Sequence, residues 1–136
     1  MPIVQIEDDP DDQLLTQRAL DASSITNPVR FFSNGQEALE YLRTTSEQPL
    51  VILCDVHMPV MDGFELRSQI DDDAHLKEKA IPFVFFSTWA TEELVNRAYQ
   101  GRIQGYHRKQ TNFNDLKEEL ALIVAYWKNC LHPNQF

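Results

Sequence analysis

Four places in the chain put chemistry-bearing side chains directly after a short strand-like run, three of them strongly apolar and the fourth weaker. Glu7, Asp8 and Asp9 follow Ile3–Ile6, Asp55 follows Leu50–Cys54, Ser87 and Thr88 follow Ile81–Phe86, and Lys109 follows Gly105–Arg108. Adjacent carboxylates repel one another unless a cation joins them. Glu7, Asp8 and Asp55 gathered beside a single lysine would be uncomfortable empty, whereas a hard, oxygen-seeking cation such as Mg²⁺ would neutralise them and keep waters for a phosphate. A phosphoryl group on Asp55 would then meet Mg²⁺ on one side, Lys109 on another and the Ser87 hydroxyl on a third. Those are the elements that stabilise charge during phosphoryl transfer.

This chemistry requires an architecture that brings the four run ends together. The apolar runs, with Val29–Phe32 added, are short and rich in β-branched or aromatic residues, which predicts five strands. Between them lie stretches of helical spacing: Leu15 and Ala19; Ala38, Leu39 and Leu42; Phe64 and Ile70; Leu94, Val95, Ala98 and Tyr99. A fifth helix is predicted from Phe113, Leu116, Leu120, Val124, Trp127 and Leu131 on one face. Five strands alternating with five helices imply an α/β, doubly wound parallel sheet. The third and fourth strands are almost wholly apolar, as strands covered on both faces should be. In the flavodoxin-like order 2-1-3-4-5, strands one, three, four and five are neighbours, and their carboxyl ends share one crevice.

Length and charge restrict the rest. At 136 residues the chain suits one domain over 1–131 with a short tail at 132–136, and no output domain is expected. The two cysteines, Cys54 and Cys130, have no metal or disulfide spacing, which points to a reducing, cytoplasmic setting. No stretch is long and apolar enough for a membrane span, and no basic-then-apolar leader opens the chain. The 12 basic and 21 acidic side chains leave a formal charge of −9, which argues against direct nucleic-acid binding.

In these residues the chain resembles the receiver domains of two-component response regulators, of the single-domain, chemotaxis-regulator-like type, from Ile3 to about Leu131. The carriers are the segments Ile3–Asp9, Leu53–Leu66, Phe85–Thr88 and Gly105–Lys109. The Asp55–Gly63 stretch is the most diagnostic, because Pro59 and Gly63 would shape the loop that presents the aspartate. The resemblance implies a phosphoacceptor signalling protein of a phosphorelay, with Asp55 taking its phosphoryl group from a histidine kinase or histidine phosphotransfer protein. It implies Mg²⁺ held by Asp8 and Asp55 directly, by Glu7 through water and by the His57 backbone carbonyl, with Ser87 and Lys109 on the phosphoryl oxygens. Tyr106 matches the aromatic switch position. The surface read by an unknown downstream protein would be the fourth helix, fifth strand and fifth helix, roughly 91–129. His57 and Trp89, two positions past the acceptor and two past the hydroxyl, would flank the approach of hydrolytic water. Two departures stand out: Gln110 follows Lys109 where many receivers have proline, and His57 and Trp89 are bulky.

The alternative is a Mg²⁺-dependent phosphohydrolase with an aspartate nucleophile, but such enzymes carry a second aspartate two residues on, where this chain has His57. A flavodoxin-type electron carrier needs a hydroxyl- and glycine-rich loop after strand one, where Glu7-Asp8-Asp9 would repel the flavin phosphate. The receiver reading is therefore not a conventional enzyme: it transfers a phosphoryl group to itself and loses it slowly. Blander roles are expected elsewhere. Asp11 and Asp12 favour the start of a helix, Asp71-Asp72-Asp73 marks a helix end and loop, and His107 and His132 lie at the surface. The apolar face reaching Trp127 and Leu131 would suit burial on the sheet, a homodimer or a partner helix.

Overall fold

A computed structural model of the protein describes residues 1–135. Its five strands are β1 (Ile3–Ile6), β2 (Val29–Phe32), β3 (Val51–Cys54), β4 (Phe83–Ser87) and β5 (Gly105–Arg108), all parallel, in the order β2-β1-β3-β4-β5. The helices are α1 (Pro10–Asp21), α2 (Gly35–Thr44), α3 (Gly63–Asp71), α4 (Ala74–Lys79), α5 (Glu92–Tyr99) and α6 (Phe113–Asn129), and a 3₁₀ turn covers Pro133–Gln135. This is the doubly wound flavodoxin-like sheet that the apolar runs predicted.

Alternation along the strands splits the core in two. Val4, Ile6, Ile52, Cys54, Phe83 and Phe85 face α2, α3, α4 and α5, whereas Ile3, Val51, Leu53, Val84 and Phe86 face α1 and α6. Strands β1, β3 and β4 are buried along their whole length, as a sheet covered on both faces requires. One polar pair sits inside: Gln5 of β1 donates to the Thr16 hydroxyl of α1 at 3.1 Å.

Three expectations are corrected. The described residues form six α-helices, because Asp73 ends the acidic run by capping a further helix: its side chain accepts from the Leu76 amide, and Leu76 is buried. A six-residue helix carries too little periodicity to separate it from a loop. In α6 the buried face is Leu116, Leu120, Ile123 and Val124. Phe113 is 38% exposed and Leu131, beyond the helix end, is 78% exposed. His132 is buried, with its amide donating to Gln135 Oε1 at 2.7 Å.

The loop between β3 and α3 is the most constrained. Gly63 donates to the Val56 carbonyl at 3.0 Å, and a Cβ there would stand 2.5 Å from the Asp55 carbonyl oxygen and 2.6 Å from Phe85 Cε1. Only glycine permits that approach. Just before it, Met61 donates to the Pro59 carbonyl at 2.7 Å around Val60, whose φ is 68°. A γ-turn with positive φ is a strained class, and a β-branched residue is poorly suited to it. Val60 is 78% exposed, so its side chain returns little packing. Val60→Gly should therefore stabilise the protein by roughly 0.5–1 kcal/mol, the relief of left-handed strain outweighing the extra freedom of glycine in the unfolded chain. A urea midpoint unchanged or lowered in the variant would remove the strain argument.

Candidate functional site

The carboxyl ends of β1, β3, β4 and β5 deliver Glu7, Asp55, Ser87 and Lys109 to one crevice. Glu7 is 2% exposed, Asp55 8%, Ser87 0% and Lys109 6%, so four polar groups are gathered nearly out of water. Lys109 Nζ donates to Glu7 Oε2 at 2.5 Å, stands 3.8 Å from Asp12 Oδ2, and lies 5.6 Å from the centre of the Phe86 ring. The other Glu7 oxygen accepts from the Asp9 amide at 3.0 Å, and Gln13 donates to the Glu7 carbonyl. Asp55 Oδ1 takes two hydrogen bonds, from the Val56 amide at 2.7 Å and from the Ser87 hydroxyl at 2.6 Å; Oδ2 takes neither.

Burial, first, and the hydrogen-bonding neighbour Asp55, second, push the Glu7 carboxyl up to about 8, while Lys109 pulls the other way. Metal-free, the site thus holds a proton where a cation would serve better. Glu7, Asp8 and Asp55 each offer an oxygen, all within 4.8 Å of one another, with Asp8 on the exposed side. An all-oxygen donor set open to solvent on one side fits a hard divalent cation that retains waters.

A chain of hydrogen bonds leads outward from Asp55. The Ser87 hydroxyl that donates to Asp55 also accepts from the Trp89 amide at 3.1 Å, and the Trp89 carbonyl accepts from the Tyr106 hydroxyl. The next carbonyl, of Ala90, accepts from Arg108 at 3.1 Å. The β4–α5 loop is therefore tied both to the acceptor aspartate and to β5. The Tyr106 phenol is held above its ordinary value by burial, then by the charge of Asp55. The exposed His57 and Trp89 rings meet edge to face with centroids 5.5 Å apart.

The structure brings Glu7, Asp55, Ser87 and Lys109 together in the crevice, with Asp8 beside them on the exposed side, and links Tyr106 to it through the Trp89 main chain; His57 and Trp89 are exposed and pack on each other. Three contributors had escaped notice. Asp12, read only as a helix-start residue, also faces Lys109; Gln13 braces the Glu7 backbone; and Phe86 lies beneath the lysine. Asp12 and Gln13 were within reach of sequence reasoning, since the first turn of α1 must face the same crevice. No peptide bond among the described residues is cis, so the loop passes Gln110 with an ordinary bond after Lys109.

Comparison with known proteins agrees with this geometry. The protein named "Probable methanogenesis regulatory protein FilR2" of Methanothrix harundinacea (strain 6Ac) is 32% identical over 129 residues, covering 92% of this chain and 82% of its own. Response regulator Rcp1 of Synechocystis sp. is 29% identical over 130 residues, covering 92% and 87%. The structure of the phosphorylated cyanobacterial phytochrome response regulator RcpA superposes with a TM-score of 0.85 at 30% identity, covering 97% of both chains. An Mn²⁺-bound form of Rcp1 superposes with a TM-score of 0.82 at 28% identity, covering 97% of this chain and 98% of that one. Together with the carboxylate trio, that likeness supports divalent metal binding. The profile of the response regulator receiver domain matches residues 3–121, and the chain belongs to that family of two-component signalling proteins.

Proposed function

We propose that this receiver domain accepts a phosphoryl group on Asp55, in the presence of Mg²⁺, from a phosphohistidine on a histidine kinase or a phosphotransfer protein. The observation that carries this reading is the fixed Asp55 carboxylate: Oδ1 is pinned by Val56 and Ser87, which leaves Oδ2 as the attacking oxygen. Attack forms the Asp55–phosphorus bond and breaks the bond from phosphorus to the donor nitrogen, which departs with its electron pair. When bound by Glu7, Asp8 and Asp55, Mg²⁺ would supply charge neutralisation for the incoming phosphoryl oxygens. Lys109, already out of water, would give up its contact with Glu7 for a phosphoryl oxygen, and the Ser87 hydroxyl would turn from Asp55 to another. That turn draws on the Trp89 amide and so on the Tyr106 hydroxyl beyond it. The surface that would change is α5, β5 and α6, and a downstream protein or a second copy would read it there. RcpA, a structural relative, is described as phosphorylated, which favours the same role here. The protein would be its own catalyst for phosphoryl uptake and loss, without turning over a free substrate.

Incubation with acetyl phosphate and Mg²⁺ should add one phosphoryl group, detected by mass, and Asp55→Asn should abolish it. Lys109→Ala should slow uptake by roughly 10- to 100-fold, the loss of a charge-assisted contact of about 1.5–3 kcal/mol. Equal uptake by Asp55→Asn would refute the acceptor assignment.

The raised Glu7 value sets a pH dependence. In the metal-free protein, folded Glu7 holds its proton more tightly than the unfolded chain between the ordinary value of 4.5 and about 8, so this group's contribution to stability declines as pH rises through that window. Cation binding must displace the same proton, so apparent Mg²⁺ affinity should rise from pH 6 to pH 8. Titration at both values tests this, and Glu7→Gln should flatten the difference. An affinity independent of pH in the wild type would show that Glu7 is ionised throughout.

The His57–Trp89 contact bears on the lifetime of the phosphorylated state. Hydrolytic water must approach in line with the Asp55–phosphorus bond, and in receiver domains the positions held here by His57 and Trp89 flank that approach. Trp89 offers an N–H donor and no acceptor with which to orient water. Trp89→Ala and His57→Ala should each lose phosphate faster, by roughly tenfold or about 1.4 kcal/mol of barrier. Retention as long as in the wild type by both variants would leave the rings without a shielding role.

A further inference from the structure

At the opposite pole of the sheet the additional helix α4 closes a cavity of about 180 Å³ against α2, α3 and the amino ends of β3 and β4. Its floor is apolar, formed by Leu42, Ile52, Ile70 and Leu76. Its wall is cationic, with Arg67, Lys77 and Arg102 and no carboxylate among the lining residues. In a chain of net charge −9 this is a local inversion of sign.

Arg67 is the informative group. Its side chain is only 12% exposed; one terminal nitrogen donates to Asp71, and the guanidinium lies over the Phe83 ring at 5.2 Å. Its Nε is buried and has no acceptor among the described residues. Leaving a buried charged donor unpaired is costly, so a shift of the Arg67 side chain that brought Nε to an acceptor in the cavity would be favoured. Lys77 and Arg102 make no ion pair among the described residues. At about 180 Å³ the cavity is too small for a nucleotide and large enough for a short aliphatic chain.

We propose that this cavity binds a small organic anion with an apolar body, a short-chain carboxylate in the simplest case. The apolar body would lie on Ile70 and the half-buried Ile81, and the carboxylate would meet Lys77 and Arg102 at the mouth, reaching the buried Arg67 Nε on a shift of that side chain. None of these residues takes part in the phosphoacceptor site, so the two readings stand or fall separately.

The test is a titration of the full chain, ¹⁵N-labelled, with hexanoate, with hexanol and with inorganic phosphate, following the Arg67 Nε–H signal and the Gln104 amide. Hexanoate should give saturable shifts at these positions at concentrations at least ~10-fold lower than either hexanol or phosphate. Exchanging the exposed cations, as Lys77→Gln with Arg102→Gln, should weaken hexanoate by at least ~10-fold while leaving the rest of the spectrum in place. Equal binding of hexanol would reduce the cavity to an apolar hole, and equal binding of phosphate would reduce it to a basic patch; either overturns the proposal. So would unchanged affinity in the double variant, an absence of shifts, or shifts confined to the Asp55 and Lys109 end.

Discussion

The structure turns on charge buried at one end of a parallel sheet. Glu7 accepts from Lys109 at 2.5 Å with both side chains almost excluded from water, and Asp55 adds a second carboxyl group. Burying such groups costs several kcal/mol per ion unless geometry and hydrogen bonding offset it. Here the offset depends on strand order. β1 and β5 are separated by β3 and β4, three spacings of about 4.8 Å, so the pair has to span a gap near 14 Å, less what sheet twist removes. A lysine can do so because its side chain is long and its apolar stem tolerates burial; its Nζ lies 5.6 Å from the centre of the Phe86 ring of the intervening β4. With both carboxyl groups ionised, two negative charges against one ammonium would leave the site short of positive charge, and the proton retained by Glu7 is the metal-free answer to that deficit.

The same crowding gives the β4–α5 loop its leverage. Ser87 is fully buried, so its hydroxyl has few partners to choose from: it donates to Asp55 and accepts from the Trp89 amide. A ligand on Asp55 that claims the hydroxyl must disturb the Trp89 peptide, whose carbonyl holds the Tyr106 hydroxyl. Packed groups of this kind have a small number of discrete arrangements, which is what a switch requires. Tyr106 also packs against Phe85, with centroids 5.6 Å apart, and Phe85 contacts the Phe64 and Phe83 rings in turn. The loop is thus linked to the core by a backbone path and an aromatic one.

The sheet and most of the crevice were legible in the sequence for a physical reason. Strands covered on both faces must be nearly all apolar, so Leu50–Cys54 and Ile81–Phe86 announce themselves, and the first polar residue after each marks a strand end. What escaped had no such signature. Helix α4 is short and follows three aspartates, so its cap at Asp73 reads as part of a loop. The relay through Trp89 runs along the main chain, which carries no residue-specific information. His132 is buried by tertiary packing of the segment after α6, which no local pattern reveals. The apolar stripe of α6 was extended too far because Phe113 and Leu131 continue the spacing, although the first is partly exposed and the second lies beyond the helix.

Parallel topology also sorts charge between the two poles. Each helix that follows a strand begins near that strand's carboxyl end, so the partly positive helix starts gather around the Asp55 crevice. The caps there include Asp9 and Asp62, whose side chains accept from Asp11 and Glu65 amides, and the first turns add Asp11, Asp12 and Glu65. Helix ends gather at the other pole, where partly negative carbonyls favour cations: Arg43 closes α2, Lys77 and Lys79 close α4, and Arg97 closes α5. The acidic crevice and the basic cavity are then two consequences of one arrangement. What distinguishes the cavity from a generic collection of helix-end cations is its roof: α4 covers apolar floor residues that would otherwise face water, and it does so without bringing a carboxylate to Arg67 Nε.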